Sequence, residues 1–128
     1  MKVFSGYFLL AIWLLSCSVS KPESQQDYQQ ELHEQLQKIE ALVGESHCDD
    51  SEDCDYLALG AKPCGGPQAY VIFSNDIDRQ PLQRLVEDYT NLEKEYNEKF
   101  GITSDCALVS PPQNIGCVNT TCTQTINE

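Results

Sequence analysis

Any chemistry in this chain must come from seven cysteines, two histidines and a dense run of carboxylates. Six cysteines, Cys48, Cys54, Cys64, Cys106, Cys117 and Cys122, follow residue 47; the seventh is Cys17. Nucleophilic catalysis needs a thiolate or hydroxyl, a base and an orienting group that converge. There is no Gly-x-Ser-x-Gly run, and no Cys-x-x-Cys spacing for dithiol redox work. His33 sits beside Leu32 in a helical stretch, and His47 directly precedes Cys48. The run Asp49-Asp50-Ser51-Glu52-Asp53, with Asp55 after it, superficially suits calcium. A calcium loop of the EF-hand type needs Gly at its sixth position and Glu at its twelfth, where this chain has Cys54 and Gly60. His47 with these carboxylates lacks zinc-ligand spacing. The expectation is a solvated acidic loop, no metal, no cofactor and no enzymatic activity.

The first cysteine belongs to a different context. Lys2 precedes an uncharged apolar run, Val3 to Leu15, too short for a bilayer-spanning helix of about 20 residues but the length of a secretory h-region. It ends Leu14-Leu15-Ser16-Cys17, which is similar to the lipobox of bacterial lipoproteins. That resemblance implies cleavage before Cys17, acylation of Cys17 and, with Ser18 next, an outer-membrane destination. The alternative is an ordinary secretory signal cut near Ser18 or Ser20. Cysteine parity favours the lipobox. Assigning Cys17 to the lipid leaves six cysteines, an even number that an oxidising compartment would pair into three disulfides. Fifteen pairings are possible, and spacing does not choose among them.

The whole chain carries a formal charge of −12; residues 1–16 contribute only Lys2, so the remainder carries −13. Such acidity argues against nucleic acid and against electrostatic docking on anionic lipid. It favours a cationic partner, or serves plain solubility. Membrane attachment is expected through the lipid alone.

Behind these residues stand the elements that must position them. Ser18 to Gln26 is polar and reads as a tether. Tyr28, Leu32, Leu36, Ile39, Leu42 and Val43 recur at helical spacing, predicting a helix over about 24–43 with Gly44 as its stop. That stripe suits packing on the chain's own domain, pairing with a partner helix, or a spacer role. Glu34–Lys38 and Glu95–Lys99 have the spacing of intrahelical ion pairs. Tyr56–Leu59 and Ala69–Phe73 read as strands, separated by Ala61-Lys62-Pro63-Cys64-Gly65-Gly66-Pro67, whose prolines and glycines demand a turn. Asn75 to Asp78 offers N-caps. Leu82, Leu85, Val86, Tyr89, Leu92, Tyr96 and Phe100 then form an apolar helical stripe that Gly101 ends. Asp105–Val109 reads as a strand stopped by Pro111-Pro112, and Asn114–Val118 with Cys122–Ile126 as a hairpin around Asn119-Thr120. The order β-β-α-β-β predicts an α+β domain: a small disulfide-stapled antiparallel sheet crossed by one long helix, preceded by a tether helix. The organisation expected is a signal peptide at 1–16, an anchored tether and amphipathic helix at 17–46, and a cysteine-rich α+β domain at 47–128.

Over residues 47–123 the pattern resembles a group of small cysteine-rich bacterial exported proteins and lipoproteins. The shared features are the acidic Cys48–Cys54 pair, the turn Gly60-Ala61-Lys62-Pro63-Cys64-Gly65-Gly66-Pro67, a helix and the closing pair Cys117–Cys122. The resemblance implies a fold and a compartment and supplies no functional residues. One segment is a candidate binding loop on its own chemistry. Lys62, Pro63, Gly65, Gly66 and Pro67 surround Cys64. A loop held by prolines and a disulfide loses little entropy on binding, and Lys62 is the type of side chain that enters a partner's pocket. The alternative is a structural turn. The leading expectation is therefore a membrane-anchored, non-enzymatic envelope protein that binds another protein, in its sharper form an inhibitor of a basic hydrolase (a lysozyme or a protease). The competing expectation is a structural or assembly role in an envelope complex, engaged through the tether helix.

Overall fold

The computed structural model describes residues 21–44 and 46–125. The apolar leader, Cys17, the beginning of the tether and Ile126 lie outside these residues. The elements are α1 (Gln25–Gly44), a short 3-10 turn (Ser51–Asp53), β1 (Cys54–Leu59), β2 (Ala69–Ser74), α2 (Arg79–Phe100), β3 (Ile115–Val118) and β4 (Thr121–Gln124). The fold is α+β and held by three disulfides.

Both helices begin where a side chain satisfies free N–H groups. Ahead of α1, the Asp27 N–H donates to Ser24 Oγ at 3.1 Å and the Ser24 N–H to Asp27 Oδ2 at 2.9 Å, a reciprocal cap. At α2, the Gln80 N–H donates to Asp78 Oδ1 at 3.0 Å, and Gly101 closes the other end.

The helices pack antiparallel on each other. Tyr28, fully buried at the start of α1, meets the end of α2: its hydroxyl donates to Glu95 at 2.7 Å and its ring stands edge-on to Phe100 at 5.6 Å. Gln25 and Gln29 both donate to the Tyr96 hydroxyl, at 3.0 and 2.9 Å. Ile39, near the other end of α1, joins Leu59, Phe73, Leu82 and Val86 in the main core. The apolar stripe of α1 is thus spent on its own domain. Ion pairing links separate segments rather than following the helix repeat. Among the described residues the ion pairs are Lys21–Glu95, Lys62–Asp105 and Arg79–Asp55; the expected Glu34–Lys38 and Glu95–Lys99 pairs do not form.

The expected single sheet divides into two hairpins. β1 pairs antiparallel with β2, Cys54 opposite Ser74 and Leu59 opposite Ala69; β3 pairs with β4, Cys117 opposite Cys122. Disulfides Cys48–Cys117 and Cys54–Cys122 tie the second hairpin to the first and to the end of α1. The sulfurs of Cys48, Cys54 and Cys122 lie within 4.8 Å of one another and form a second small core with Ile72 and Ile115. The buried Ser74 hydroxyl donates to the His47 carbonyl at 2.6 Å, fastening the segment after α1 to β2. The body accordingly has two ends, about 30 Å apart by the length of α1. Residue 21 and the β1–β2 loop sit at one end, and the β3–β4 hairpin at the other.

The strand expected at Asp105–Val109 is absent: residues 102–114 join no ladder. Cys106 takes a left-handed φ of 55°, and the two prolines that follow cannot donate. The second hairpin turns through Asn119 and Thr120, with φ of 51° and 63°. This is the two-residue geometry that Asn-Gly suits and a β-branched threonine does not.

Two stability outcomes follow, both read by urea unfolding with disulfides intact. Phe73→Ala, at a fully buried core position, is expected to cost about 3–5 kcal/mol. Thr120→Gly is expected to raise stability by about 1 kcal/mol, since it removes a left-handed β-branched residue.

Candidate functional site

The loop between β1 and β2 is seated on α2 by three side chains at helical spacing. As β1 ends, the Gly60 N–H donates to Thr90 Oγ1 at 3.0 Å and the Ala61 N–H to Glu93 Oε2 at 2.6 Å; Asn97 Nδ2 donates to the Ala61 carbonyl at 2.7 Å. Thr90, Glu93 and Asn97 occupy one helix face. Gly60 has φ +74°, and a Cβ there would lie 2.3 Å from Glu93 Oε2 and 2.9 Å from Gln68 Cβ. Only glycine fits this corner.

Beyond the corner the chain turns tightly. The Gly65 N–H donates to the Lys62 carbonyl, and the Lys62 N–H to the Gly66 carbonyl, both at 2.9 Å. Gly65 and Gly66 supply the positive φ this turn needs. Cys64 at its tip is bonded to Cys106.

Lys62 departs from its expected role. Its side chain is only 11% exposed and turns inward. Nζ donates to the Ala107 carbonyl at 2.6 Å and reaches Asp105 Oδ1 at 3.4 Å. Lys62 bridges two loops and does not stand exposed. It turns in because Asp105 and the Ala107 carbonyl, which joins no strand ladder, offer an anionic and a polar acceptor side by side. The Ala107 N–H and the Lys62 ammonium together hold the Asp105 carboxyl below its ordinary value.

The two loops, 62–67 and 104–109, therefore form one ridge. It is closed by a disulfide, a buried-stem lysine and, on its far side, the Tyr70 hydroxyl 3.5 Å from the Val109 carbonyl. Pro63, Gly65 and Gly66 are exposed on the ridge, with Pro67 half-buried. Leu108, which sequence patterning read as mid-strand, stands 92% exposed. Its signal was legible after the fact: an apolar residue two past a cysteine and just ahead of Pro111-Pro112, with no alternation to pair it.

The other candidate chemistry is absorbed locally. Asp50 Oδ1 accepts the Glu52 N–H at 2.7 Å, and Asp53 Oδ2 accepts the Asp49 and Asp50 N–H groups at 2.9 and 3.1 Å. These bonds depress the Asp53 carboxyl, and the run serves as a capping box for the 3-10 turn. Asp55 pairs with Arg79. The six cysteines after residue 47 are all in disulfides and carry no thiolate. His33 is exposed on α1, while the His47 backbone N–H is held by Asp76 at 2.8 Å.

No protein-family model, curated protein or solved structure matches the chain. None of the described helices is long and apolar enough to cross a membrane.

Burial raises the Glu93 carboxyl above its ordinary 4.5, outweighing the lowering effect of the Ala61 N–H. The folded chain thus holds this proton more tightly than the unfolded chain. Its contribution to stability falls as pH rises from about 4.5 through the raised folded value. Glu93→Gln keeps an acceptor for Ala61 and is expected to be at least as stable as the parent at pH 7. Unfolding curves of the two from pH 4 to 8 should diverge as pH rises, in favour of the variant.

Proposed function

We propose that this chain is a non-enzymatic envelope protein, lipid-anchored at Cys17, that binds a basic hydrolase and inhibits it. The observation that carries the reading is the ridge. A disulfide and the Lys62 ammonium lock two loops together before any partner arrives, so little ordering entropy remains to be lost on binding. The lipobox-like Leu14-Leu15-Ser16-Cys17 supports the anchor, and the paired cysteines fit an oxidising compartment outside the cytoplasm. The charge of −13 beyond residue 16 favours encounter with a cationic enzyme. The competing assembly role through α1 loses support, because α1 gives Tyr28 and Ile39 to its own core.

The test is inhibition of basic lysozymes and basic serine proteases by the purified protein. Inhibition at micromolar or lower concentration is expected in low salt, weakening on the order of tenfold at moderate salt as steering is screened. No inhibition of either class would overturn the reading.

A further inference from the structure

Leu108 has no structural task that the fold reveals. It is a large aliphatic side chain, 92% exposed, in a strongly acidic protein. Among the described residues neither its N–H nor its carbonyl has a hydrogen-bond partner. The residues around it are nonetheless held. The Ala107 N–H donates to Asp105 and the Ala107 carbonyl accepts from Lys62; the Val109 carbonyl faces the Tyr70 hydroxyl. A fixed backbone with a free N–H, a free C=O and one projecting apolar side chain is what an endopeptidase cleft takes: strand-like main-chain bonds and one side chain in a specificity pocket.

We propose that Leu108 enters the specificity pocket of a serine endopeptidase whose pocket is an apolar slot. This rests on the inhibitor reading and names its target class. The covalent frame around Leu108 suits an inhibitor better than a substrate. Hydrolysis of the Leu108–Val109 bond would consume one water and leave a carboxyl on Leu108 and an amine on Val109. Neither end would leave. Cys106, bonded to Cys64, retains the first, while Cys117 and Cys122, bonded to Cys48 and Cys54, retain the second. Both new ends stay in the cleft, so the enzyme remains occupied. Net acidity directs the pairing toward basic proteases and away from anionic lipid, where a lone leucine gains little.

The experiment measures inhibition constants of the purified protein against a chymotrypsin-type protease and a trypsin-type protease, with a basic lysozyme alongside. The expected result is inhibition of the apolar-pocket protease that weakens at least tenfold in Leu108→Ala. Leu108→Lys should shift inhibition toward the trypsin-type enzyme, which reads a cationic side chain. Both variants should unfold in urea at the parent midpoint, because Leu108 is outside the core. Protease inhibition unchanged by Leu108→Ala would overturn the Leu108 assignment and leave the inhibitor reading standing. Lysozyme inhibition alone would do the same. Rapid multiple-turnover cleavage after Leu108 would overturn the assignment by making the segment a substrate. So would Leu108-dependent binding to neutral phosphatidylcholine vesicles without protease inhibition. Silence from all three enzymes would overturn both.

Discussion

Two antiparallel hairpins, one of six residue pairs and one of four, bury too little surface to stand alone in water. What joins them is covalent. Cys48–Cys117 and Cys54–Cys122 close loops of nearly the same span, 69 and 68 residues, and lie side by side. A single cross-link of that span removes unfolded-state entropy worth about 4 kcal/mol in the chain-entropy model. The second, which overlaps most of the first, removes less. The aliphatic and aromatic core around Phe73 and Ile39 then needs to hold only the two helices on the first hairpin. The chain is modular in energy. Packing holds the helical layer, and sulfur holds the second hairpin.

The helices and the hairpin β1–β2 were legible because their signals are local. Apolar residues at helical spacing, an N-cap at Asp78, Gly101 at the far end and the proline- and glycine-rich turn at 63–67 each act within a few residues. The pairing of the cysteines was not legible, because fifteen connectivities satisfy the same parity. The fate of Asp105–Val109 was hidden for a related reason. Its residues are strand-compatible, but Cys64 draws Cys106 into a left-handed turn, and the two prolines that follow cannot donate to a ladder. Glu95 and Lys99 illustrate the limit from the other side. The i,i+4 spacing is present, yet Tyr28 and Lys21 offer Glu95 partners across the helix seam.

The turn at 62–67 is legible in its composition, but the surroundings of one of its residues are not. Lys62 looked like a side chain seeking a partner because sequence order cannot show that Asp105 and Ala107 come to lie beside it. Its inward turn removes the positive charge from the ridge surface. The Thr90, Glu93 and Asn97 set is hidden in the sequence for the opposite reason. Polar residues flanking an apolar stripe look like ordinary solvent-facing positions until a loop is found docked on them.

The antiparallel seating of α1 on α2 brings Lys21 and the ridge to the same end of the body. Lys21 lies four positions beyond Cys17, a covalent span of about 14 Å at most. With a lipid at Cys17, the ridge would sample only a thin shell above the bilayer while the β3–β4 hairpin sweeps farther out. Confinement of this kind multiplies local concentration: a partner held at the same surface meets the ridge as though at millimolar concentration, and one in free solution gains nothing from it.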